Sequence, residues 1–275
     1  MKHYIFILLC AASLAVTASS ACQNATARHT TPGTAEHKHT ANTVSQQTEP
    51  TSQAASNGTK TTLKQWKAGT EVSAETVKTY GTERYFSSHA IDDALFGRIY
   101  GKSFKTDCTV PRTDLRYLHL LHYTSDGKTI LGEMICHKDI AASLLDIFRR
   151  LYEAHYPIER MLLIDDYAAD DIQSMNHNNT TCFNFRHIAG SKKLSNHSLG
   201  KAVDLNPLYN PYVKRRADGT VKVSPESGRK YADRNKSFEY KIDHNDLAFR
   251  LFKQHGFRWG GDYRSLKDYQ HFEKP

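Results

Sequence analysis

The chain has 275 residues, 39% apolar and 24% charged, which suffices for a sizeable core and is too polar for a multi-span membrane protein. Lys and Arg total 37 against 29 Asp and Glu, a formal +8 that suits contact with an anionic polymer, whether nucleic acid, cell wall or membrane surface.

Lys2 and His3 precede an apolar stretch from Tyr4 to Val16, and the small residues Thr17 to Ala21 lead to Cys22. This is the layout of an export signal, residues 1–21, with an apolar run shorter than the roughly 20 residues of a membrane span. Cys22 after Ser20-Ala21 resembles a bacterial lipoprotein processing site, although Ser19 stands where a branched apolar residue is usual. The expectation is export to the cell envelope or periplasm with a lipid on Cys22, plain secretion being the alternative.

Residues 22–79 read as a polar linker, because Gln23 to Lys60 has no aromatic residue with which to offset the entropy of ordering. His29, His37 and His39 are too loosely spaced to suggest a metal tract. Aromatics become frequent from Tyr80, so one folded domain is expected over residues 80–275, as a monomer. Of its thiols Cys108, Cys136 and Cys182, at most one pair can bond internally, and Cys136 in its apolar run reads as buried and unreactive.

Within the domain, Ile91 to Ile99 predicts a short helix. Leu115 to Tyr123 and Thr129 to Cys136 predict two strands joined at Asp126-Gly127 in a hairpin. Asp139 is placed to cap a helix whose Ile140, Leu144, Ile147, Phe148 and Leu151 share one face. Arg160 to Ile164 predicts a strand, and Asp165, Asp166, Asp170 and Asp171 a solvated or cleft-rim acidic loop. Tyr209 to Arg234 reads as an exposed loop near the cleft. Asn245 to His255 predicts a helix closed by Gly256, and Phe257 to Trp259 resumes extended chain. The mixture is α+β, with an antiparallel sheet and packed helices in one unit.

The chemistry concentrates in Ser195-Asn196-His197-Ser198-Leu199-Gly200-Lys201-Ala202-Val203-Asp204 and in Asp268-Tyr269-Gln270-His271-Phe272. His197, Asp204 and His271 supply the two imidazoles and one carboxylate of a hydrolytic zinc site, which keeps a fourth position for water. Gly200 provides a tight turn between the first two ligands. Asp268, on the loop leading into the last strand, is within reach of that water as general base. With 15 His in the chain this spacing alone is weak evidence.

The motifs around these residues add to it. Phe183-Asn184-Phe185-Arg186, Leu194 to His197, Gly200 to Pro207, Trp259-Gly260-Gly261-Asp262-Tyr263 and Asp268 to Phe272 follow one another in the order seen in zinc metallopeptidases. From about Leu115 onward the chain resembles the VanY-type D-alanyl-D-alanine carboxypeptidase and L-alanyl-D-glutamate endopeptidase family, with its hedgehog/DD-peptidase-like fold. The resemblance implies one zinc held by His197, Asp204 and His271, Asp268 as catalytic base, and Arg186 facing the scissile carbonyl or a substrate carboxylate. It also suggests Ser195 as an orienter of His197 or a donor to substrate, and Asp262 as support for a ligand or the glycine turn. Tyr263 stands where many members carry Trp, and Cys182 where a small residue is common. The implied substrate is peptidoglycan stem peptide, with the Asp268-Tyr269-Gln270-His271 form nearer the endopeptidase subgroup. Export leaves nucleic acid a poor partner. A zinc-bearing wall-binding module without turnover is the alternative, and the intact Asp268 argues against it.

Overall fold

A computed structural model of the protein describes residues 65–274. The export signal, Cys22 and the linker as far as residue 64 lie outside the described residues, which all fall within one structural unit. No helix among the described residues is long and apolar enough to cross a membrane.

The chain forms helix α1 (Ala74–Tyr80), strand β1 (Ser87–Ala90), α2 (Asp93–Ile99), then the hairpin β2 (Leu115–Tyr123) and β3 (Thr129–His137). Helices α3 (Lys138–Glu153) and α4 (Asp171–Asn176) precede β4 (Ala202–Asp204), β5 (Tyr212–Arg215) and β6 (Val221–Ser224). Helix α5 (Leu247–Gln254) and three short strands, β7 (Arg258–Trp259), β8 (Lys267–Asp268) and β9 (His271–Glu273), complete the fold. The strands make three antiparallel sheets, ordered β1-β2-β3, β4-β9-β7 and β6-β5-β8. The architecture is α+β.

The β2–β3 hairpin turns at Asp126-Gly127, where Gly127 takes φ 85°, a conformation open to glycine at little cost. The apolar stripe of α3 packs on the inner face of this hairpin. Leu144, Ile147, Phe148 and Leu151 are buried against Leu118, Leu120, Met134 and Cys136, and the same core takes in Val203 of β4, Phe252 of α5 and Phe272 of β9. Each such side chain contributes about 1.5–3 kcal/mol. The strands that carry the candidate ligands are therefore anchored from behind by the main core.

Several expectations are corrected. Trp66, Val72 and Val77 pack with Tyr85, Leu121 and Leu131, and the Trp66 indole donates to the Gly132 carbonyl at 3.1 Å, so the folded domain includes residues before Tyr80. The cap of α3 is His137, whose Nδ1 accepts from the Asp139 amide at 3.2 Å; Asp139 lies in the first turn. Arg160 to Ile164 is not a strand. Its Leu162 amide and carbonyl pair with the side-chain amide of Asn179 at 2.9 and 3.0 Å, so a side chain takes the place of a ladder partner.

The acidic run divides, with Asp166 and Asp170 exposed, Asp171 half-buried and Asp165 buried. Asp165 is buried on Ser103, Asp166 pairs with Arg98, Asp170 caps α4, and Asp171 meets Arg186 and Asn184. The 209–234 region is built around the β5–β6 hairpin, its exposed tip continuous with a strand that pairs with β8. Cys108, Cys136 and Cys182 are free thiols; burial pushes the last two well above the usual thiol range.

Candidate active site

Three local features bring His197 to its place. Ser195 caps a short 3₁₀ turn, Asn196–Leu199, by accepting from the His197 amide at 3.3 Å. The turn closes at Gly200, whose φ of 64° is left-handed. A Cβ there would come within 2.6 Å of the His137 amide nitrogen, which donates to the Gly200 carbonyl at 2.8 Å. Glycine is thus required on two counts, and the turn is fastened to the end of β3.

An extended segment through residues 181–184 supplies the rest. Thr181 exchanges backbone hydrogen bonds with Asp204, Phe183 donates to Ile135 of β3, and Asn184 donates to the His197 carbonyl. The Cys182 carbonyl between them accepts from His197 Nδ1 at 2.7 Å. With Nδ1–H committed, the lone pair of His197 is on Nε2, facing the other candidate ligands.

Asp204 and His271 face each other as a register pair of β4 and β9. His271 Nδ1 lies 3.1 Å from Asp204 Oδ1 and 3.2 Å from His197 Nε2, and His197 Nε2 lies 3.3 Å from Asp204 Oδ2. One ligand atom from each of the three falls within 4.8 Å of the others, with His197 and His271 buried. Two imidazole nitrogens and a carboxylate converging this tightly fit the donor preference of zinc.

The electrostatics agree with that donor set. Burial opposes the charge on Asp204, yet His197 and then His271 outweigh it and hold the carboxyl well below the usual carboxylate range. Burial likewise opposes charge on His271, but hydrogen bonds to Asp204 and Glu273 raise it to about 10. A divalent cation would take over the role of this proton.

Glu273 is a site residue that the sequence reading missed. Its carboxylate lies 3.4 Å from His271 Nε2 and also accepts from Asn196, and the hydrogen bond with His271 holds its carboxyl down to about 2. The His-x-Glu alternation on one face of β9 was available as a signal, since residues two apart in a strand point the same way.

Asp268 is not on a loop: it ends β8, opposite Tyr212 of β5. Burial and then the nearby Asp204 raise its carboxyl to about 6, against the pull of His271. Gln270, itself buried, donates from Nε2 to Asp268 Oδ1 at 3.3 Å. Gly260 lets the two segments meet, because a Cβ on it would fall 2.5 Å from the Asp268 carbonyl oxygen and 3.2 Å from His271 Cβ.

Arg186 is tied to the same turn by its backbone: its amide donates to Ser198 Oγ at 2.8 Å and its carbonyl accepts from the Ser195 amide at 3.1 Å. Its guanidinium pairs with Asp171 at the start of α4. Asp262 closes the short 3₁₀ turn Gly260–Asp262. It is solvent-exposed and meets His244 Nε2 at 2.8 Å, while the bonds that orient the two imidazoles come from Glu273 and the Cys182 carbonyl.

A family model described as D-alanyl-D-alanine carboxypeptidase matches residues 189–274, a span that contains all three candidate ligands and Asp268. The match supports a VanY-like peptidase family at that coarse level. No curated protein and no solved structure matches the chain.

Proposed function

We propose that the protein is a zinc-dependent peptidase acting on peptidoglycan stem peptides outside the cytoplasm. The observation that carries this reading is the convergence of His197 Nε2, Asp204 and His271 Nδ1 beside the buried carboxyl of Asp268. The leader layout of residues 1–21 and the net charge of +8 suit an anionic wall substrate, with lipid on Cys22 as the proposed anchor.

His197, Asp204 and His271 would hold the zinc. When bound, it supplies Lewis acidity, which polarises a peptide carbonyl and lowers the pKa of a coordinated water to roughly 7. The Cys182 carbonyl and Glu273 fix the two imidazole rings so that Nε2 of His197 and Nδ1 of His271 both point inward. Asp268, poised near neutrality by burial, takes the proton of the attacking water on its carboxylate and passes it to the leaving amine. Gln270 holds the Asp268 carboxylate through Oδ1. Arg186, oriented by Asp171 and by the Ser195–Ser198 turn, offers its remaining N–H groups to a substrate carbonyl or carboxylate.

The form Asp268-Tyr269-Gln270-His271 favours a cut between L-Ala and D-Glu over removal of terminal D-Ala. The test is digestion of purified muropeptides by the zinc-loaded protein, with products read by mass. Release of muramyl-L-Ala fragments is expected, and release of single D-Ala would reassign the bond. A protein that carries stoichiometric zinc and leaves every muropeptide intact would instead be a wall-binding module.

A further inference from the structure

Residues 212–224, which form the β5–β6 hairpin, hold four cations, Lys214, Arg215, Arg216 and Lys222, and one acid, Asp218. Asp218 is committed to Thr220, whose amide and hydroxyl donate to its Oδ1 at 2.9 and 2.6 Å. Glu226, just beyond the hairpin, pairs with Arg229. Among the described residues no carboxylate pairs with any of the four cations, and the side-chain hydrogen bond of Arg215 goes to the Gly219 carbonyl at 3.5 Å.

The register sorts these cations by face. Tyr212 stands opposite Asp268 and Val213 opposite Lys267 across β5 and β8, while Lys214 stands opposite Lys222 and Arg215 opposite Val221 across β5 and β6. Side chains alternate along a strand, and register partners share a face. Asp268, Tyr212, Lys214 and Lys222 therefore lie on one face, and Lys267, Val213, Arg215 and Val223 on the other, where Val223 is buried. Burial, and then the charge of Asp268, push the Tyr212 hydroxyl up, which agrees with the shared face.

Like charges directly opposite one another, with Cβ atoms about 5 Å apart, weaken a strand pair. Lys214 and Lys222 are both exposed, and the chain supplies no carboxylate to offset the repulsion between them. An acid seated between the two ammonium groups turns that repulsion into two charge-assisted hydrogen bonds. Lys214 is two positions along β5 from Tyr212, which sets the pair about 7 Å from the register position of Asp268 on the same face. Neither ammonium pairs with Asp268, so the pair serves a group farther along the ligand than those beside the scissile bond.

We propose that Lys214 and Lys222 form a substrate subsite for a side-chain carboxylate on the third residue of the stem peptide, reached along the face that carries Asp268. The assignment rests on the stem-peptide reading above, with the cut between L-Ala and D-Glu. Every carboxylate of the stem then lies on the leaving-amine side. The α-carboxylate of D-Glu is attached beside the scissile nitrogen and stays near Asp268, whereas the γ-linkage carries the third residue roughly 7 Å farther out. A diaminopimelate at that position offers a side-chain carboxylate, and a lysine offers none.

The probes are N-acetyl-L-alanyl-γ-D-glutamyl-meso-diaminopimelate and its L-lysine counterpart, both amidated at the main-chain carboxyl of the third residue, so that they differ by the one side-chain carboxylate. Calorimetry with the metal-stripped full chain, which prevents turnover, measures binding, and the zinc-loaded full chain measures cleavage. The diaminopimelate peptide is expected to bind about 10-fold more tightly, a difference of roughly 1.4 kcal/mol. Lys214→Gln and Lys222→Gln should each reduce that preference to about 3-fold or less, while Arg215→Gln, on the opposite face, should keep it. Neither lysine variant should melt below the parent, since each removes a like-charge contact, and if one misfolds the other decides. Equal binding of the two peptides, a preference that survives in both lysine variants, or an equal loss in Arg215→Gln would overturn the assignment. Failure of the stem-peptide reading leaves a different trace: neither peptide is bound or cut, and the subsite falls with it, whereas cutting of both peptides without preference removes the subsite alone.

Discussion

Glu273 Oε2 lies 3.4 Å behind His271 Nε2, on the opposite side of the ring from the 3.1 Å contact between Nδ1 and Asp204. One imidazole is thus gripped by two carboxylates, one beside the ion site and one behind it. Such an outer carboxylate typically accounts for 10–100-fold in metal affinity. Glu273→Ala should weaken zinc binding by about that factor and Glu273→Gln by less, because the amide oxygen still accepts from Nε2–H. Competition with a chromophoric chelator, together with the visible spectrum of the cobalt-substituted protein, would measure both. Unchanged affinity in Glu273→Ala would remove the residue from the site.

Asp268→Asn should keep its zinc and lose about 10²–10⁴-fold in kcat, since the amide cannot take a proton. The working form is the carboxylate, whose pKa burial raises to about 6. The rate should therefore fall as acid converts carboxylate to carboxyl, and a bound dication, which favours the charged form, moves this limb to or below pH 6. A pH profile of kcat/KM whose acid limb persists unchanged in Asp268→Asn would exclude the residue as the base.

Metal uptake should expel a proton. In the metal-free protein Asp204 and Glu273 raise His271 to about 10 despite burial, so the ring is doubly protonated near neutral pH. Zinc affinity should rise with pH, and calorimetry in buffers of different ionisation enthalpy should report release of about one proton. The sign for stability follows from the same shift. The raised value stabilises the metal-free fold below the unfolded imidazole pKa of about 6.5, and that contribution fades as pH climbs through about 10.

Gly200→Ala should cost about 2–4 kcal/mol, because φ 64° disfavours a side chain and the added carbon would meet the His137 amide nitrogen at 2.6 Å. Gly219→Ala is the control: its φ is 84° but nothing lies within 4 Å of the new carbon, so about 1 kcal/mol is expected. Thermal unfolding of both compares steric and torsional contributions, and equal losses would mean the β3 contact is unimportant.

What could be read from the sequence divides along physical lines. His197, Asp204, His271 and Asp268 were legible because ligand chemistry limits the residue types and the surrounding motifs fix their order. The β2–β3 hairpin and α3 were legible because their apolar residues follow strand and helix periods over many positions. The Cys182 carbonyl was not, since any residue has one and only the fold decides where it points. Glu273 looked like an ordinary polar position on a short strand. Arg186 was picked out, but its partner Asp171 was hidden in a run of acids that resembled a solvated loop. Arg160 to Ile164 has the composition of a strand, and the side chain of Asn179 claims the backbone groups of its Leu162 instead. Trp66 and Val72 were assigned to the linker because their surroundings are polar, although their anchoring partners lie on β3 and in the core beside it.

In the sheet that carries the candidate ligands, β9 sits between β4 and β7. A strand made later than both of its neighbours is therefore the middle one, and Asp204 lacks His271 beside it until residues 271–273 exist. A nascent chain paused anywhere short of that point would hold a half-site missing one imidazole, so the order of synthesis itself keeps this proposed hydrolase silent until β9 slots into place.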